Sequence, residues 1–228
     1  MTLSFSHPPH PAASVEPRDP HSLPDFSSQS KFSKPVLYLP PLLSPLPESY
    51  SVTQPSHFPP LITETHLPDI DPVSLSLHKA LHNFKPSSPD YANTDYGQAF
   101  NWSELRLPKD EEREWYCVVF RSKRKSGSDG ISLYDADKLA HEEAIRNGGL
   151  ILYWYGIPNP ETGMNLATCI WQSRKHATAA NSQPHHLKAM RLAAEAYEVY
   201  ALERHVLRKI QGEEGVTIEA FTGGEVGW

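Results

Sequence analysis

Cysteine is nearly absent from this chain. The two present, Cys117 and Cys169, sit in separate apolar runs, so neither a disulfide framework nor a cysteine-based zinc set can be built. Two buried, reduced thiols are expected instead, as in an intracellular protein. Positive charge is also short: 21 Lys and Arg face 27 Asp and Glu, a formal net charge of −6, which excludes a polyanion binder working by bulk charge. Long apolar runs are missing. The best candidate, Leu37 to Leu46, is broken by Pro40, Pro41 and Pro45, far short of the roughly 18 to 20 residues that cross a bilayer. The N-terminus has no charged region leading into an apolar one, and Arg18 stands alone before a long gap. Neither a secretory signal nor a transit peptide is expected. The cytoplasm is the expected compartment. The nucleus is the alternative, through the basic run Arg121-Ser-Lys123-Arg124-Lys125, otherwise read as a solvated loop.

Proline is abundant but unevenly placed: 18 of 22 lie at or before Pro89. A stretch so rich in Pro, Ser and His lacks the backbone donors and apolar density that offset ordering entropy. Residues 1–60 are therefore expected to be a disordered tail, with a polyproline-prone patch from Tyr38 to Pro47. Residues 61–110 follow as a helix and aromatic segment packing on the core. Asp71 and Pro72 open a helix with Val73, Leu77, Leu81 and Phe84 on one stripe. The aromatics Tyr91, Tyr96, Phe100 and Trp102 need cover from water.

Residues 111–228 alternate strands and helices. Trp115–Phe120 reads as a strand, Ser132 to Asn147 as a helix with a capping box at Ser132 and Asp135, and Leu150–Tyr155 as a second strand. Leu166–Trp171 is a third, and Ser173 caps a short helix to Ala180. Pro184 starts a long helix reaching about Ile210, and Gly215–Phe221 supplies the fourth strand. The plan is α+β, a ferredoxin-like βαββαβ fold. The first three strands are apolar on both faces, so something must cover the face away from the helices: residues 61–110, or a second copy of the chain.

The strand ending in Trp171-x-Ser173, the Ala-rich short helix and Pro184-x-His186 resemble the dimeric α/β-barrel superfamily, which includes antibiotic-biosynthesis-type monooxygenases and haem-degrading proteins. Leu67-Pro-Asp-Ile-Asp-Pro72, Ala99-Phe-Asn-Trp102 and Tyr153-Trp-Tyr-Gly156 are similar to an uncharacterised fungal protein family. The superfamily resemblance implies a homodimer through the sheet face and a pocket between each sheet and its helices. Haem-degrading members use an Asn on the first strand, a Trp on the third and a His on the second helix. Trp171 and His185 or His186 match the last two, but Trp115–Phe120 has no Asn. No cofactor is therefore expected, with haem the lesser alternative.

His176, His185 and His186 are the candidate catalytic residues, since imidazoles titrate near neutral pH. His185 and His186 point about 100° apart on a helix, so only one can face a given pocket. Both also suit the bland role of polar helix-start residues. No zinc spacing surrounds these three, and no metal is expected. Trp171, Tyr153, Trp154 and Tyr155 are the candidate ligand-binding residues for a small apolar or aromatic molecule, though rings at such positions commonly serve as core. His141, Glu142 and Glu143 read as a solvated helix face, and Gly148-Gly149 as a helix stop without the Lys of a phosphate loop. No basic aromatic signature marks the third strand, so nucleic acid is not an expected partner, nor is a membrane. Two functions stay open: a small-molecule binder or cofactor-independent monooxygenase-like enzyme, and a non-enzymatic dimerisation or interaction protein.

Overall fold

The computed structural model describes Pro20, Ser22 and residues 34–40, 71–128 and 130–227. The chain runs through β1 (Val36–Tyr38), α1 (Pro72–Ala80), α2 (Tyr96–Ala99), β2 (Arg113–Arg124), α3 (Gly130–Asn147), β3 (Leu150–Tyr155) and β4 (Met164–Trp171). It continues through α4 (Arg174–Asn181), α5 (Pro184–Ala196), β5 (Tyr197–Lys209) and β6 (Val216–Ala220). The strands form one sheet in the order β1-β3-β4-β2-β5-β6, with every adjacent pair antiparallel. Its middle, β3-β4-β2-β5, with α3 after β2 and α4 and α5 after β4, is the ferredoxin-like α+β plan. β1 and β6 extend it at the two edges.

Local signals explain several element ends. Asp71 caps α1 by accepting the Ser74 N–H at 2.9 Å, with Pro72 at the first helical position. Ser173 caps α4 in the same way through the His176 N–H. Gly148 and Gly149 close α3 with φ of 85° and 82°, values a side chain would oppose. α3 starts at Gly130, so Ser132 and Asp135 lie within its first turns and the expected capping box is not its start.

Three expectations change. The long helix from Pro184 stops at Ala196, and Tyr197–Lys209, expected to be helical, is the fourth strand of the ferredoxin-like unit. It pairs with β2 from Arg113↔Lys209 to Arg124↔Tyr197, a ladder that outweighs the helical spacing of Tyr197, Ala201 and Leu207. The strand expected at Gly215–Phe221 exists as β6, but as an added edge. Second, Val36–Tyr38 falls inside the stretch expected to be a tail, yet it pairs with Tyr155–Tyr153 of β3, and Tyr38 and Leu39 are buried. The rest of residues 1–60, apart from Pro20, Ser22 and 34–40, lies outside the described residues. Third, the basic run is not a free loop. Arg121–Arg124 end β2, with Arg121 paired to Glu203 and donating to the carbonyls of Ala92 and Thr94.

The sheet has two covered faces. Helices α3, α4 and α5 lie over one. The other carries Trp115, Cys117, Val119, Leu152, Trp154, Leu166, Ile170 and Leu207, packed in one core with Leu77, Leu81, Tyr91, Tyr96, Phe100 and Trp102. Polar contacts hold this cover in place: the Trp115 indole donates to Ser74 at 2.8 Å, Tyr96 and Thr168 share a hydroxyl hydrogen bond at 2.8 Å, and buried Arg113 pairs with Asp71 at 3.0 Å. The face expected to receive a second copy is therefore closed by the chain's own residues 71–107, the other possibility that its two-sided apolar strands leave open.

Candidate functional site

Between the sheet and the helices lies a cavity of about 600 Å³. Strand alternation supplies one wall: Tyr116, Val118 and Phe120 from β2, Tyr153 and Tyr155 from β3, Cys169 and Trp171 from β4, and Tyr200, Leu202 and Arg204 from β5. Helical spacing supplies the other. Leu133, Asp137, Ala140, His141 and Ala144 project from α3, and His186, Met190 and Ala193 from α5. A concave, ring-rich cavity into which polar groups such as Asp137, His141 and His186 converge has the form of a small-molecule site.

Its electrostatics centre on α3. The Tyr153 hydroxyl points at Asp137 Oδ2, 3.4 Å away. Burial raises the Asp137 carboxyl from 3.8 to about 6, within reach of neutral pH. Burial lifts the Tyr153 phenol well above its ordinary range, with the Asp137 charge adding to it, and Tyr200 is raised to about 12. His141 stacks edge-on against Tyr153 with ring centroids 4.0 Å apart. Burial, helped by His186, lowers its imidazole to about 3, so it is neutral at physiological pH. His186 is lowered by burial too, against the pull of Glu143. Its Nδ1 is buried without a hydrogen-bond partner among the described residues. Burial pushes both thiols upward, Cys117 to about 12, which removes them as nucleophiles.

Four of the expected site residues share this cavity: Trp171, Tyr153, Tyr155 and His186. The other three do not. Trp154 lies on the opposite face, edge-on to Tyr91 at 5.1 Å and to Phe100 at 4.8 Å; β3 is apolar on both sides, so alternation alone could not say which rings faced the helices. His185 is not among the cavity-lining residues, and its backbone N–H donates to Glu143 Oε2 at 2.9 Å. His176 bonds Ser173 Oγ through Nδ1 at 2.8 Å and packs against Gly149, a cap rather than a cavity wall. Asp137, His141, Tyr197 and Tyr200 were not among the expected site residues. His141 and Glu143, read as a solvated face, are buried. The signal was present in the i, i+4 spacing of Leu133, Asp137 and His141 beside the Ala136, Ala140 and Ala144 stripe.

Among the described residues no cluster of three His, Cys, Asp or Glu side chains is placed to hold a metal ion, and no helix is long and apolar enough to cross a membrane. The haem-degrading residue set does not fit this cavity. The β2 side chains on its wall are Tyr116, Val118, Phe120 and Ser122, with no Asn among them.

Residues 58–220 match the family model described as PB2B2.08-like. The chain belongs to the PB2B2.08-like family. It is 32% identical over 172 residues to UPF0643 protein PB2B2.08 of Schizosaccharomyces pombe, covering 67% of this chain and 78% of that protein. This agrees with the resemblance to an uncharacterised fungal family. Parts of several solved structures are also similar to it, at low sequence identity. The chain is similar to Rv0793 from Mycobacterium tuberculosis, with 14% identity and a TM-score of 0.35 over 40% of this chain and 91% of that one. It is also similar to a conserved protein from Methanosarcina mazei Go1, with 19% identity and a TM-score of 0.35 over 42% and 93%. A candidate antibiotic biosynthesis monooxygenase from Nitrosomonas europaea shares 16% identity, with a TM-score of 0.33 over 40% and 94%.

Proposed function

We propose that this chain binds a small aromatic molecule in the cavity beside Trp171 and removes a proton from it, a cofactor-independent, monooxygenase-like use of the site. The observation that carries this reading is Asp137, a carboxylate with its pKa raised to about 6 on the wall of a ring-lined cavity. A carboxyl of that strength is half-ionised at about pH 6 and mostly ionised at neutral pH, and it is basic enough to accept a proton in the transition state. Tyr153 steadies the ionised form by donating to it, and Trp171, Tyr153 and Tyr155 give a ring something flat to pack on. With an electron-rich phenol, the phenolate passes electrons to dioxygen; one oxygen atom enters the ring, and the other leaves as water with two substrate hydrogens, giving a quinone.

The test is native purification followed by mass and absorbance spectra of whatever travels with the protein. An aromatic compound is expected with the wild-type chain, and it should be lost when Trp171→Ala opens the ring wall. Asp137→Asn should keep the compound and stop its oxygen-dependent conversion. An empty wild-type protein that takes up no aromatic compound would overturn the reading.

One observation favours the alternative, an interaction protein. β6 pairs with only His205–Lys209 of β5, so the outer edge of Tyr197–Glu203 has no strand partner among the described residues, and Val199 and Leu202 there are exposed. Such an edge accepts an added strand from another chain.

A further inference from the structure

Proton removal at Asp137 uses one end of the cavity and leaves two guanidinium groups unexplained. Arg174, the first residue of α4, and Arg204, on β5, both lie on the cavity wall. Arg174 sits over the Phe221 ring, 5.7 Å from its centroid, and Phe221 meets Tyr116 edge-on at 5.3 Å. Among the described residues, the carboxylate paired with Arg174 is that of Glu225, 3.4 Å away and mostly exposed to solvent. Arg204 has no carboxylate partner among the described residues. Both guanidiniums lower the Tyr116 hydroxyl against the effect of its burial, so all three groups converge.

Strand register sets this cluster across the sheet from Asp137: Tyr153, which donates to Asp137, lies on β3 in the same row as Cys169, Val118 and Arg204, three strands from Arg204. Tyr116 lies opposite Trp171 and Val206, and Arg204 opposite Val118. Tyr200 and Tyr197, the phenols that feel the Asp137 charge, lie opposite Ser122 and Arg124. From Tyr153 to Arg204 is about 14 Å, three strand spacings of roughly 4.8 Å each. The cavity therefore carries two guanidiniums beside Tyr116 and a carboxyl beside Tyr153, with rings between.

We propose that the cavity selects an amphipathic aromatic anion, with its carboxylate or sulfonate held by Arg174 and Arg204, its rings against Trp171, and a hydroxyl offered to Asp137. Guanidinium groups recognise such oxyanions through paired charge-assisted hydrogen bonds. The Asp137 charge repels an anion placed the other way round, so the ligand enters in one orientation. This inference rests on the small-molecule reading above and adds the charge and polarity of the ligand.

The experiment compares two fluorescent probes on the full chain: the anionic 8-anilinonaphthalene-1-sulfonate and its uncharged relative N-phenyl-1-naphthylamine. Both should bind at one site, the sulfonate more tightly. An Arg174→Gln/Arg204→Gln protein should lose sulfonate affinity by about tenfold or more, the loss expected for charge-assisted hydrogen bonds. It should keep the neutral probe within about twofold, which also reports that the fold is intact. If the neutral probe binds as tightly as the sulfonate, or the double variant weakens both alike while near-ultraviolet circular dichroism is unchanged, the anion inference is overturned and the small-molecule reading stands. If neither probe binds the wild-type chain, both fall. Should the double variant misfold, Arg204→Gln alone decides, because its side chain is exposed and the change keeps a polar group there; unchanged sulfonate affinity in that variant sinks the inference.

Discussion

Asp137 and His141 stand one helical turn apart on α3 and respond to pH in opposite senses. Asp137 titrates at about 6 in the fold against 3.8 outside it. Its contribution to stability is complete below pH 4 and is lost as pH rises through 6, where the ionised carboxylate stays in a site that disfavours charge. His141 titrates at about 3 against 6.5. Its contribution is complete above pH 6.5 and lost as pH falls toward 3. Between about pH 4 and 6 the two slopes oppose each other, so the wild-type chain should show little pH dependence there. Asp137→Asn removes one slope. At pH 8 it should raise stability by an amount on the order of 1–3 kcal/mol, read as a higher urea midpoint, and the gain should vanish by pH 4. Midpoints of wild type and variant that stay equally far apart from pH 4 to 8 would show that Asp137 does not titrate as described. A carboxylate kept at a cost in stability is what a working group looks like.

At the scale of elements, α5 depends on a neighbour for its start. Gln183 gives no side-chain cap, and the first backbone donors of the helix, from His185 and His186, go to Glu143 Oε2 of α3 at 2.9 and 3.1 Å. Glu143→Ala should cost about 1–2 kcal/mol, in the range of a lost helix cap, and speed hydrogen exchange at those two amides; Glu143→Gln, which keeps an acceptor, should restore much of the protection. Unchanged exchange in Glu143→Ala would mean the carboxylate is not the cap. This contact was out of reach of the sequence, where Glu142-Glu143 looks like any charged helix surface. β2, β3 and β4 were legible because their β-formers are bounded by Gly, Pro and Ser. The α5–β5 junction was not: Ala193-Ala194-Glu195-Ala196-Tyr197 has no Gly or Pro to mark where helix becomes strand, and the following apolar residues fit either period. For the site, Trp171, Tyr153 and Tyr155 followed from strand ends and alternation. Asp137 did not, because Asp135 and Lys138 make its helix look solvated until Leu133 and Ala140 are seen to share its face.

At the scale of the molecule, the decisive feature is that one chain covers both faces of its sheet. The residues that close the second face, 71–107, are tied to the sheet by the buried Arg113–Asp71 pair, by Gln172 donating to the same Asp71 carboxylate at 2.8 Å, and by stacked rings at Phe84, Phe100 and Trp102. Burying rings of this size contributes a few kcal/mol each, and among the described residues they occupy the apolar face that a second copy would otherwise bury. The full chain should therefore behave as a monomer through this face, with light scattering giving a mass near 25.6 kDa. Loosening the cover should reverse that. Trp102→Ala removes a buried ring at the centre of the cluster, and Asp71→Asn weakens the latch on Arg113 by removing the negative charge of a buried pair. The combined variant should lose several kcal/mol of stability and move toward higher mass as the apolar face opens and finds another copy. A wild-type chain that scatters as a dimer, with a mass unchanged by these substitutions, would show that association uses a different surface, and the open outer edge of β5 would be the place to look.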